Sequence, residues 1–345
     1  MIRKWVKGII KSIIIKSIIA RRVWLGGSVE ANRGILIVMY HEVAPRHSPV
    51  FRHFAELCTT PETFARQVEW LAQHFEVISL DEAVRRLQDG TAGDSRAVVL
   101  TSDDGWMGFH QHALPVLHQR GFPATVYVPT DVLGGRPHWP VRWGLLLARN
   151  RWLLKDLAHE LGHFEPFPSV GSAMRALRGL DVGRIEHLWR MIVEQYSVQE
   201  DKLPRDWFIN EDGVREMVAR GIMVGAHTVL HPMLTREPEL HLQWELTESR
   251  RRLQEICGRE VVHFAYPFGD HDDRVVNLVR DAGYRSAVTT DYGWNLPGHD
   301  VYRLRRVDVR ETACEDHRGR FDEALFALWV TGEWERIRRR LKFLQ

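Results

Sequence analysis

The chain has 345 residues, 44% of them hydrophobic and 27% charged, with a net charge of +2. That composition is globular, the length suits one large α/β domain or two smaller ones, and so balanced a charge gives no basis for nucleic-acid binding. Three widely spaced cysteines, Cys58, Cys257 and Cys314, make neither a CxxC pattern nor a disulfide framework, which suits a reducing compartment.

The first segment reads MIRKWVKGIIKSIIIKSIIARR. Lys4, Lys7, Lys11 and Lys16 interrupt its isoleucine runs, and no small-residue cleavage site follows. A cleavable signal needs an unbroken apolar core, and a spanning helix needs roughly 20 mostly uncharged residues. The expectation for residues 1–25 is therefore a basic amphipathic helix, with Lys4, Lys7 and Lys11 opposite Trp5, Ile9 and Ile13. Such a helix suits peripheral contact with a membrane interface through residues 1–22, on the cytoplasmic face. Packing on the domain or on a partner is the alternative.

Beyond it, strand-like and helix-like segments alternate. Ile35–Tyr40 is an apolar run of buried-strand length. Thr60 and Pro61 open a helix whose stripe is Phe64, Val68, Leu71 and Phe75. Val77–Leu80 reads as a strand, with a helix from Asp81. Ala97–Gly105 is a buried strand ending in polar residues, and Ala124–Pro129 is a further strand. Residues 138–208 are rich in Trp and Leu, helix-like and without clear strands, and are expected as an insertion covering the site. Alternation resumes with a strand at Ile222–His227, a helix at Glu239–Ile256 and a strand at His263–Phe268. A helix at Asp273–Ala282 and strands at Tyr284–Thr290 and Arg303–Val309 follow. These segments set one catalytic domain at 34–310, with a helical tail at 311–345. Repeated βα units argue a parallel sheet or barrel with chemistry at the carboxyl ends of its strands. His41, Asp103 with Asp104, and His227 with His231 all fall at such ends.

Adjacent acids at a buried strand end are costly unless a cation offsets them. In an extended backbone Asp103 and Asp104 would diverge, one to a metal and one to substrate. His227 and His231, at i and i+4, would share one face of a helical turn and could grip one ion. In Phe264–Gly269, Pro267 has no amide donor, and the N–H of Phe268 could face a developing oxyanion. Each alone admits a plainer reading: a helix N-cap, two surface histidines, a strand ending in a turn. Trp106, Trp139, Trp143 and Trp294 are candidate sugar-stacking platforms, Trp106 foremost, although core packing is the commoner use of any one tryptophan.

Taken in order, TSDDG, HTVLH and FAYPFG resemble the polysaccharide deacetylase family, the NodB-homology carbohydrate esterases. The resemblance runs from Gly34 to Val309, the insertion apart. It implies an α/β fold, a distorted (β/α) barrel of about seven strands. It implies a hydrolase that removes an acyl group, most often acetyl, from an amino sugar of a glycan or a lipid-linked saccharide. Asp103 maps to the base, and Asp104, His227 and His231 to the ligands of a divalent metal, zinc being the ion this donor set suits first. Tyr40, Trp106, Tyr266 and Pro267 map to the substrate side. The chain departs from the family pattern in three places. Ser102 stands for an aromatic residue. Ala265 stands for an arginine that tethers the catalytic Asp, for whose charge Arg306 is the candidate replacement. The late Leu-x-His motif is absent, the matching region reading LRRV. A branch acting on exopolysaccharide amino sugars takes its acid from an early Tyr-His motif, so Tyr40-His41 nominates His41 as general acid. The same machinery would serve a deformylase or an O-deacetylase, and the departures leave a non-catalytic glycan-binding relative as a third reading.

Overall fold

The computed structural model describes residues 33–333. The expected basic helix at 1–25 lies outside them. Among the described residues the strands are β1 (Gly34–Tyr40), β2 (Glu42–Val43), β3 (Cys58–Thr59), β4 (Glu76–Val77), β5 (Arg96–Ser102), β6 (Thr125–Val128), β7 (Met223–Ala226), β8 (His263–Ala265), β9 (Ser286–Tyr292) and β10 (Leu304–Asp308). The helices are α1 (Pro49–Phe54), α2 (Pro61–His74), α3 (Leu80–Gln88), α4 (Leu114–Arg120), α5 (Trp139–Arg149), α6 (Leu153–Glu160), α7 (Val170–Leu177), α8 (Val182–Tyr196), α9 (Glu211–Ala219), α10 (Glu239–Cys257), α11 (Asp273–Asp281) and α12 (Glu323–Thr331). The sheet order is β1-β10-β9-β8-β7-β6-β5-β4, and β1 also pairs with β5, so seven parallel strands close a barrel. All seven residues of β1 are buried, which explains its unbroken apolar run. Its register with β5 is continuous from Gly34↔Arg96 to Tyr40↔Ser102.

Two compact units divide the chain. The first takes its described residues from 33–102, 108–125 and 290–333. In it Thr60 caps α2 as expected, its hydroxyl accepting from the Thr63 amide at 3.2 Å. The strand expected at Val77–Leu80 is only Glu76–Val77. Ser79 takes the cap position instead, accepting from the Glu82 amide at 3.2 Å, so Leu80 is already helical. The described part of the expected tail is tied in. Glu311 is buried and accepts from Thr60 and Thr63, while Phe326 of α12 meets Trp70 edge-on at 5.4 Å.

The second unit comprises 103–107 and 126–289. Its insertion is helical as expected, α5 to α8 enclosing a cluster that includes Trp143, Leu147, Leu157, Leu177, Leu188 and Trp189. The far end of the insertion returns to the residues after β5: Phe208 bridges Trp106, and the Ile209 amide donates to the Gly105 carbonyl at 2.9 Å. Three strands end earlier than their sequences suggest. β5 stops at Ser102, β7 at Ala226 and β8 at Ala265, each giving way to a turn that carries site residues.

Candidate metal and catalytic site

These turns depend on left-handed backbone at residues other than glycine. Asp104 has φ 69°, Thr228 69°, His231 59° and Phe268 59°. Among the described residues one other non-glycine, Ser197, has positive φ. Such conformations cost free energy, most of all for a β-branched residue like Thr228, and concentrate at functional sites. The reversal at Asp104 replaces the extended divergence expected of the two acids. The helical turn expected across His227 and His231 is not formed either, because Thr228 and His231 reverse the backbone there.

Hydrogen bonds hold the second turn. The Thr228 hydroxyl accepts from the His231 amide at 3.0 Å. The Glu245 carboxyl, buried on α10, accepts from the amides of Val229 (2.6 Å) and Leu230 (3.1 Å). The amides of Thr130 and Asp131 donate to the carbonyls of Thr228 and Val229. Glu245 lies on the apolar stripe of α10 beside Leu242 and Leu246. An acid on a buried stripe is a sequence signal, and sequence reasoning passed over it.

The turns bring three side chains together. Asp104 Oδ1 is 3.4 Å from His227 Nε2 and 3.2 Å from His231 Nε2. One donor atom from each residue lies within 4.8 Å of the others, and all three residues are buried. Tetrahedral zinc with bonds of about 2.0–2.2 Å separates its ligands by about 3.3 Å, so this donor set fits a small divalent ion. His227 Nδ1 lies 2.7 Å from the Ala265 carbonyl, to which only a protonated nitrogen can donate. That bond turns the lone pair of Nε2 toward Asp104. Burial by itself would raise the Asp104 carboxyl. Contacts with His227 and His231, together with the fields of His231 and His138, hold it well below the usual carboxylate range. Burial lowers His231, against the opposing pull of Asp104.

Sequence reasoning also missed His138, which stands in no spaced motif. It immediately precedes α5 and is buried, which pushes it down to about 3. Its ring stacks on that of His231 at 4.9 Å, and its Nε2 is 3.8 Å from Asp104 Oδ2. Next to it, the indole N–H of Trp139 donates to the His231 carbonyl at 2.9 Å.

The sequence model of the family described as Polysaccharide deacetylase matches residues 176–287, which contain both histidines and the FAYPFG segment. Over that segment the chain matches the polysaccharide deacetylase family. It is a hydrolase of the class acting on acetylated sugars. A relative, the putative polysaccharide deacetylase YxkH of Bacillus subtilis (strain 168), is 20% identical over 274 residues, 79% of this chain and 70% of YxkH. Among solved structures, the Streptococcus pyogenes deacetylase PplD, in complex with acetate, aligns with TM-score 0.56 at 20% identity over 81% of this chain and 94% of PplD. IcaB from Ammonifex degensii aligns with TM-score 0.56 at 19% identity over 87% of this chain and 97% of IcaB. These likenesses show the barrel fold.

Within this chain the remaining expected residues divide between the two units. Asp103 is buried in the second. Tyr40, His41 and Arg306 belong to the first. The carbonyl of half-buried His41 accepts from the Ser102 hydroxyl at 3.0 Å. Arg306 is buried on β10, with Nη1 3.3 Å from the Thr101 hydroxyl. The expected sugar platform at Trp106 is not one. Its ring is buried, tilted against Phe208 at 4.5 Å, and its indole N–H donates to Asp104 Oδ2 at 3.2 Å. Tyr40, Tyr266 and Pro267, expected on the substrate side, are also buried. Trp139 and Trp143 are core residues, and the indole N–H of Trp294 donates to the Val330 carbonyl at 3.1 Å.

Proposed function

We propose that this chain removes an N-acyl group, acetyl first, from an amino sugar of a glycan or lipid-linked saccharide, using a divalent metal held by Asp104, His227 and His231. The observation that carries this reading is the convergence of both imidazole Nε2 atoms on one carboxylate oxygen, with His227 already oriented by the Ala265 carbonyl. When bound, the ion, with zinc as first choice, supplies Lewis-acid polarisation of the acyl carbonyl and eases deprotonation of water. Asp103 takes a proton from the attacking water, whose oxygen adds to the acyl carbon. Arg306 stands for the arginine that, in the family, tethers the catalytic Asp. The Phe268 amide donates to the oxyanion. His41 then gives a proton to the amine nitrogen as the C–N bond breaks, leaving a carboxylate and a free amino sugar.

The test begins with release of acetate or formate across N-acetylglucosamine oligomers, lipid-linked saccharides and small amino sugars. Asp103→Asn is expected to keep the metal and lose turnover, and retained turnover removes Asp103 as base. Retained metal with no acyl release from any of these substrates would favour the glycan-binding reading. Membrane contact is proposed separately, through residues 1–22. Among the described residues no helix is long and apolar enough to cross a membrane. Deleting residues 1–22 is expected to abolish sedimentation with anionic vesicles while leaving acyl release intact.

A further inference from the structure

His138 occupies a helix N-cap position without capping. Ser, Thr, Asp or Asn there would accept from a first-turn amide, whereas this side chain makes no such bond. Its carbonyl serves the helix instead, accepting from the amides of Val141 (3.1 Å) and Arg142 (3.3 Å). The imidazole is turned inward and fixed on three sides: Trp106 edge-on at 6.0 Å, Phe208 edge-on at 5.2 Å and His231 stacked at 4.9 Å. It is 3% exposed, and neither ring nitrogen has a hydrogen-bond partner. Leaving a buried donor or acceptor unmet costs free energy, and this ring has two such atoms. Its Nε2 is 3.8 Å from Asp104 Oδ2, on the carboxylate that the other two imidazoles share, just outside the group of three donors that lie within 4.8 Å of one another.

We propose that His138 is the third imidazole of the metal centre, joining Asp104, His227 and His231 as a nitrogen donor from the insertion. The inference rests on the reading of those three residues as ligands. It gives the unmet Nε2 a partner and explains why an aromatic cage, rather than a cap bond, sets the rotamer. It also makes the insertion part of the ion's shell, since His138 and Trp139 enter together at the start of α5. Three neutral nitrogens and one carboxylate favour zinc, cobalt or nickel over the hard ions magnesium and calcium.

The experiment uses the full chain, freed of metal with a chelator, then titrated with Zn²⁺ against a competing chromophore and with Co²⁺ by visible absorption. His138→Ala is expected to weaken Zn²⁺ binding by about 10–100-fold and to shift the Co²⁺ bands. Trp152→Phe, an exposed residue of the insertion outside the proposed donor set, is expected to leave those bands unshifted. An unshifted spectrum and parental affinity in His138→Ala, with binding lost in Asp104→Ala, overturns the role of His138 alone. Parental binding in both Asp104→Ala and His227→Ala overturns the ligand reading beneath it. X-ray absorption on the zinc-loaded parent needs no variant to fold: three imidazoles support the proposal and two refute it.

Discussion

Asp104 in the second unit and Glu42 in the first are both buried carboxylic acids, 6% and 3% exposed, yet their protons are held in opposite senses. Burial raises Glu42 from its ordinary 4.5 to about 8, and the backbone amides of Gly108 and Val43 only partly offset that. Burial acts in the same direction on Asp104, but two imidazole Nε2 atoms stand within 3.4 Å of its Oδ1, and its carboxyl falls well below the usual range. The contrast teaches that burial alone does not set the charge of a carboxylic acid; its neighbours do. Glu42 is neutral at neutral pH and fits against a glycine, since a Cβ at Gly108 would lie 1.6 Å from its Oε1. Asp104 is an anion held beside two imidazoles.

The largest effect that would break this contrast is at Asp104 itself. Asp104→Ala is expected to cut metal affinity and acyl release by more than about 100-fold, above what loss of a supporting hydrogen bond costs. Wild-type metal content in that variant would erase the distinction. Glu42 comes next. Its folded value lies above its unfolded one, so the folded state keeps a proton that the unfolded chain releases. Stability is then expected to fall by up to a few kcal/mol as pH rises from about 4.5 to about 8, and to level off above that. Glu42→Gln should flatten this slope in urea titrations at stepped pH; an unchanged slope assigns it to other groups. Trp106→Phe sharpens the Asp104 side, since it keeps a ring but removes the indole N–H from Oδ2. Metal affinity is expected to drop about 10-fold, with thermal stability moving little. Smallest is Thr228→Val, which removes the hydroxyl acceptor of the His231 amide and should cost about 1 kcal/mol in denaturant unfolding.

Much of the site was legible before any coordinates. Asp104, His227 and His231 are the three residues that the sequence motifs nominate, and they converge. Their backbone was misread, since an extended pair and a helical turn are both replaced by left-handed turns. Local propensity argues against φ above zero at Thr228; only the acceptors supplied by Glu245 and the donors at Thr130 and Asp131 make it tenable. Trp106 was nominated for the right neighbourhood and the wrong task, because exposure cannot be read from a residue's type.

The sequence by itself determined the alternation of strands and helices, the resemblance to the family, the three residues that converge and the helical insertion, because periodicity and short motifs are local properties. Tertiary structure decided where each strand stops, which buried acid is ionised, that Trp106 serves Asp104, and that His138 stands beside Asp104 and His231. His138 lies 93 residues before His231 in the chain, and its ring stacks on that residue at 4.9 Å. No spacing rule spans that gap, since the fold alone brings such distant side chains into contact.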